Sequence, residues 1–187
     1  MFCSNLSSVL TDSTIRNMKK TWIPKQTGFT IVELVTVITV IGILAAITIV
    51  AYTNIQEGAR DSARLTDAKS IVKALEIHKS RMGSYPEEGT SGWEMSSSTN
   101  TLVMSALVDA NVMSEVPVDP INSGGTYYRY HLYPAGSGGC DASRGPFYVF
   151  MVMDLEATSD RNNGSGFTCA SRDWNLEADW VAGNYTY

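Results

Sequence analysis

Residues 25–52 read KQTGFTIVELVTVITVIGILAAITIVAY. From Phe29 onward the stretch is apolar almost without interruption, and Glu33 is its only charged residue. A helix of those 24 residues spans about 36 Å, enough for a hydrocarbon core of about 30 Å. The β-branched content would also suit a buried strand, but the length and the lack of turn residues favour a membrane-crossing helix. The 28 residues ahead of it carry Arg16, Lys19, Lys20 and Lys25 against Asp12, a net charge of +3. Positive charge before an apolar run stays in the cytoplasm, so the rest of the chain is expected outside. The 159 residues from Phe29 onward hold ten basic and eighteen acidic residues, net −8. That acidity argues against nucleic acid as a partner. An overall composition of 44% apolar and 18% charged residues excludes a disordered polyelectrolyte.

A secretory signal has a shorter apolar core followed by a small-residue cleavage site. Here Ala45 and Ala46 lie inside the run, which continues through Ile47 and Val50. The junction is more specific than a plain signal anchor. It sets a basic residue (Lys25), then Gly28, then Phe29 before the run, with one carboxylate, Glu33, five positions after the glycine. A carboxylate in a membrane-inserted stretch is costly and usually has a partner. Snorkelling near a helix end is the plain alternative.

This junction resembles the class III signal of type IV pilins and type II secretion pseudopilins. The resemblance implies that a prepilin peptidase cuts between Gly28 and Phe29 and that Phe29 becomes an N-methylated amino terminus. It also implies that Glu33 pairs with the Phe29 ammonium of a neighbouring subunit during assembly. A leader of 28 residues is long for a pilin, and Met18 offers a second start. Many major pilins carry a proline in the second half of the apolar segment, and this chain has none there.

No proline occurs between Pro24 and Pro86, and residues 53–82 are rich in helix formers. Leu65, Ala68, Val72, Leu75 and Met82, widened by Ile71, share one helical face. Glu57, Arg60, Asp61, Arg64, Lys69, Lys73, Glu76 and Lys79 read most simply as a solvated face, with subunit contacts as the alternative. One helix is expected from Phe29 to about Met82, with Gly58 as the place for a bend. Gly83-Ser84-Tyr85-Pro86 stops it. Residues 87–100 read as a loop, 101–113 as a short second helix, and Val116-Pro117-Val118-Asp119-Pro120 as a rigid extended stretch. Strands are expected over 126–133 and 147–155, with a short one near Trp180-Val181. The fold class is α+β, a long N-terminal helix on a small antiparallel sheet. The domains are a cleaved leader (1–28), an assembly helix (29–52), an amphipathic continuation (53–82) and a globular head (83–187). Gly83-x-Tyr85-Pro86, Val116-Pro-x-Asp119-Pro120 and Tyr128-x-Tyr130 also resemble pseudopilins and minor pilins, although Ile121-Asn122 stands where that family often has Trp-Gly.

Cys3 would leave with the leader, so Cys140 and Cys169 remain as an expected disulfide, with two separate thiols as the alternative. Asp119, Asp154 and Asp160, with Asp141 and Asp173, are candidate calcium ligands, but they lack EF-hand spacing and solvated acids are the default. His78 and His131 fall in no nucleophile motif, and no phosphate loop is present. No enzyme and no obligatory cofactor are expected. Trp93, Trp174 and Trp180 read as packing residues, or as an adhesive surface. A basic patch for DNA would have to come from Arg129, Arg144, Arg161 and Arg172.

The expected function is a structural subunit, major or minor, of a type IV pilus-like filament. The resemblance implies as partners other pilins in homo- and hetero-oligomers, a prepilin peptidase, and an assembly platform with its ATPase. Membrane lipid surrounds the helix before assembly. The chain would sit single-pass in the cytoplasmic membrane with its head outside, then in a surface pilus or pseudopilus. A pseudopilin of a secretion or competence system is the near alternative. A membrane-anchored binding module that never polymerises is the alternative of another class.

Overall fold

The computed structural model describes residues 28–87, 92–96, 102–115, 117–157 and 164–187. The chain forms two compact units, residues 1–43 and 44–187. The described part of the first unit, from Gly28, holds the start of helix α1, which spans Ile31–Met82. The helical pattern continues through Gly58, where the sequence suggested a bend. It stops at Gly83, whose φ of 83° is left-handed and whose N–H donates to the Lys79 carbonyl at 2.8 Å. Glycine takes that conformation without a Cβ penalty, and Pro86 then prevents continuation.

In the second unit α1 lies on a four-stranded antiparallel sheet, in the α+β, pilin-like arrangement expected. The strands are β1 (Glu94–Met95), β2 (Tyr128–Tyr133), β3 (Phe147–Val152) and β6 (Trp180–Tyr185), in the order β1-β2-β3-β6. A separate two-stranded pair joins β4 (Thr168–Cys169) and β5 (Arg172–Asp173). Helix α2 (Leu102–Asp109) is shorter than 101–113, because Asn111 takes a positive φ and ends it. β2 begins at Tyr128 instead of residue 126, since Thr126 closes a turn onto Ser123. β3 ends at Val152, and β6 is a full six-residue strand where only a short one near Trp180 was expected.

Strand alternation sorts the core into two layers. Tyr128, Tyr130, Tyr148, Phe150, Val152, Trp180 and Ala182 pack with Ala68, Ile71, Ala74 and Leu75 of α1. Phe147, Val149, Met151, Val181 and Tyr185 pack with Tyr133, Trp174 and Cys140. β3 is therefore buried on both faces, which accounts for its unbroken apolar sequence FYVFMV. The second layer is covered by the segments that Cys140 and Cys169 join as a disulfide, with Cα atoms 4.9 Å apart. Replacing both cysteines by serine should lower head stability by about 3–4 kcal/mol, given the 29-residue separation. Urea unfolding of the oxidised protein and of the variant measures the difference.

The buried face of α1 differs from the expected stripe. Met82 is 58% exposed, and Asp61, Arg64 and His78 are buried with the apolar residues. Asp61 and Arg64 are thus no solvated pair. Other polar groups on α1 also face the head. Tyr128 donates its hydroxyl to Asp67 at 2.9 Å. The Tyr85 and Tyr148 hydroxyls and the Asn184 amide converge on the Glu76 carboxylate at 3.0, 3.3 and 3.1 Å. Lys79 Nζ donates to the Tyr185 carbonyl at 2.7 Å, and His78 Nδ1 lies 2.9 Å from the Ser84 carbonyl.

Candidate functional site

Thr30 precedes the first helical residue and Glu33 stands three places later, the spacing of a capping box. The Glu33 N–H donates to Thr30 Oγ1 at 3.2 Å. In return Glu33 Oε2 accepts the Thr30 N–H at 2.9 Å and the Thr30 hydroxyl at 2.8 Å. The box satisfies two amides that a helix start otherwise leaves bare. Both bonds to the carboxylate end on one oxygen, so Oε1 accepts none among the described residues. The sequence reading weighed snorkelling and intersubunit pairing for Glu33 and passed over the Thr-x-x-Glu signal that was there.

Gly28 meets nothing within 4 Å of where a Cβ would stand, and Phe29 is 90% exposed. Gly28, Phe29 and Glu33 are therefore grouped at one accessible end of α1. Lys25, Cys3 and Trp22 lie outside the described residues.

Downstream, Val32, Leu34, Val37, Ile38, Val40, Ile41, Ile43 and Leu44 are all more than half exposed. Hydroxyls that would be costly in lipid are satisfied inside the helix. Thr36 donates to the Glu33 carbonyl at 2.9 Å, Thr39 to Val35, Thr48 to Leu44 at 2.8 Å, and Thr53 to Ile49 at 3.0 Å. Glu33 is left as the one carboxylate in the run, with Oε1 still to offer. The apolar helix is long enough to cross a membrane and, with the motif reported below, anchors the chain there.

Arg64 is the second polar centre, fully buried in the head. Its Nε donates to Asp119 at 2.8 Å, and its Nη1 donates to Asp61 at 2.7 Å and to Glu156 at 2.6 Å. Arg60 also pairs with Glu156. Asp61 further accepts the N–H groups of Glu156 and Ala157, and Asp119 those of Ile121 and Asn122. The network fastens two loops to α1. Hydrogen bonding from Arg60, ahead of that from Arg64 and against desolvation, holds the Glu156 carboxyl at about 2. Burial opposes the charge on Asp119, but Arg64 and the two amides outweigh it and keep its pKa below the usual range. Both groups are depressed on folding, so their stabilisation is complete above the unfolded carboxylate range and is lost as pH falls. Head stability should therefore decline between about pH 4.3 and pH 2, which urea midpoints across that interval measure.

The candidate calcium ligands do not converge. Both Asp119 oxygens are engaged by Arg64. Asp141 accepts from Ser143 and Asp173 from Asn175, each as a local turn cap. Asp154 is exposed, and Asp160 lies outside the described residues. Among the described residues no group of three or more metal-binding side chains occurs. Of the described arginines, Arg129 and Arg172 lie over the same Trp93 ring, 3.7 and 6.0 Å from its centroid. Arg144 lies over Tyr185 at 3.8 Å, and Arg172 binds Glu177 at 2.7 and 2.9 Å. Arg161 lies outside the described residues. Trp174 and Trp180 are core, which leaves Trp93 half-buried beside His131.

Residues 23–49 match the family model described as the prokaryotic N-terminal methylation motif. No solved structure matches the chain.

Proposed function

We propose, from a chain whose residues 23–49 carry the class III signal of type IV pilins and pseudopilins, that it is a structural subunit of a type IV pilus-like filament and not an enzyme. A prepilin peptidase removes residues 1–28, Phe29 is N-methylated, and an assembly platform draws the helix from the bilayer into a bundle of its copies. The observation that carries this reading is Glu33. Its carboxylate is held at the helix start by Thr30 with Oε1 unengaged, four residues after Phe29, whose nitrogen would become an ammonium on cleavage after Gly28. Opposite charges attract strongly once both are withdrawn from water.

The test is the mass and N-terminal sequence of the chain purified from cells that have a prepilin peptidase. The expected product begins at Phe29 and is one methyl heavier than the bare sequence. A chain that keeps its leader in such cells overturns the reading. A pseudopilin of a secretion or competence machine is the second reading, since pilins and pseudopilins share the motif at residues 23–49. Deleting the chain separates the two: loss of surface pili marks the first, and loss of protein export or DNA uptake marks the second.

A further inference from the structure

Arg129 carries a charge that no carboxylate among the described residues pairs with. Its side chain makes no hydrogen bond there either, and its Nε is buried without a partner. A buried donor left bare costs free energy, and folded chains rarely tolerate one without a reason. The guanidinium carbon lies 3.7 Å from the centroid of the Trp93 ring, within cation–π range. That contact uses the face of the guanidinium and leaves the N–H groups around its edge.

Strand register brings these groups together. Glu94 pairs with Tyr130 and Met95 with Arg129 across β1 and β2, so Trp93 stands opposite His131. Alternation puts Arg129, His131 and Tyr133 on one face of β2. The Trp93 ring stacks on His131 at 4.9 Å and meets Tyr133 edge-on at 5.7 Å. Arg172 reaches the same place from β5, 6.0 Å from the Trp93 centroid and 5.6 Å from that of Tyr133. Its strand partner is Cys169, so the disulfide to Cys140 holds this second cation in position. Trp93, Arg129 and Arg172 are each only partly buried. Arg172 also binds Glu177, while Asp173 is turned to cap Asn175. Among the described side chains, the two arginines against Glu177 leave the cluster at +1, on a chain that is −8 from Phe29 onward.

A partly open indole with a spare guanidinium on it suits a ligand that carries one anion on a ring with an apolar face. Guanidinium N–H groups match a carboxylate in pairs, and the C–H face of a sugar lies flat on an indole. We propose that Trp93, Arg129 and Arg172 form a binding site for a carboxylated sugar of an acidic polysaccharide. Arg129 takes the carboxylate, Trp93 takes the sugar ring, and Arg172 adds positive charge at the rim. Nucleic acid is the poorer match, because its affinity comes from neutralising many phosphates. One net positive charge on an acidic head does not supply that. The site is built within a single head and goes beyond the filament reading without resting on it.

The test is calorimetric titration of the detergent-solubilised full-length chain with oligogalacturonate, and with the same oligomer methyl-esterified at every carboxyl. The acid form should bind about tenfold or more tightly than the ester, the worth of a charge-assisted pair. Arg129→Gln should remove the same factor for the acid form and leave ester binding unchanged. The ester comparison uses the parent chain, so it holds whether or not the variant folds. No binding of the acid form at millimolar concentration, or equal binding of acid and ester, overturns the site. So does an Arg129→Gln chain that unfolds in urea like the parent and binds the acid form as tightly. A single-stranded DNA oligonucleotide that binds more tightly than oligogalacturonate, and loses that affinity in Arg129→Gln, overturns the sugar and makes nucleic acid the ligand.

Discussion

Arg64→Ala should cost the head a large part of its stability. The substitution leaves Asp61, Asp119 and Glu156 facing one another with only Arg60, on the outer side, to balance them. Removing one partner of a buried ion network costs about 3–5 kcal/mol, because the remaining charges stay desolvated. Domains of this kind have only about 5–15 kcal/mol in total. Burial opposes the Arg64 charge, but hydrogen bonds to Asp119, Glu156 and Asp61 outweigh it and raise its pKa further, so the group is ionised throughout the accessible pH range. Urea unfolding of the detergent-solubilised chain, followed by tryptophan fluorescence, measures the loss. Arg64→Met combined with Asp61→Asn and Asp119→Asn should recover most of it, since a neutral cluster of similar volume leaves fewer stranded charges. If the single variant unfolds like the parent, the network is not what fastens the loops to α1.

Glu33→Gln should stop filament formation while leaving cleavage at Gly28–Phe29 intact. Glutamine can still close the capping box with Thr30, so the helix start is preserved and only the charge is lost. A pair between carboxylate and ammonium in an apolar setting is worth several kcal/mol, and losing about 3 kcal/mol already lowers an association constant on the order of 100-fold. Counting filaments by electron microscopy, together with the N-terminal sequence of the membrane-bound chain, separates assembly from processing. Glu33→Ala removes the cap as well and should do no better. If the glutamine variant assembles normally and the alanine variant does not, Glu33 acts as a helix cap and the charge pairing is wrong.

The long helix was legible in the sequence because its signals are local: an apolar run, helix-forming residues and a Gly–Pro stop within four positions. The methylation motif was legible for the same reason. The burial of Asp61 and Arg64 was not. Two opposite charges three residues apart look like any surface pair, and their partners lie 55 and 92 residues downstream. Asp119 read as a solvated acid or a weak calcium candidate, because a lone aspartate between prolines gives no sign that a guanidinium awaits it. β3 could be read as deeply buried from its apolar run, but not what covers its second face. That cover is made of short pieces, including two two-residue strands and Trp174, and none has a periodicity of its own. The second layer exists because distant segments meet, and the cysteine pair was the only sequence signal pointing to it.

The threonines of the apolar helix have a consequence for the surroundings it can enter. Each hydroxyl already bonds to a carbonyl one turn back, and the backbone amides are used within the helix. Moving such a rod from acyl chains to a sheath of like rods therefore breaks no internal bond, and the return trip breaks none either. The free-energy difference between the two surroundings then rests on packing and on a single acid at the tip.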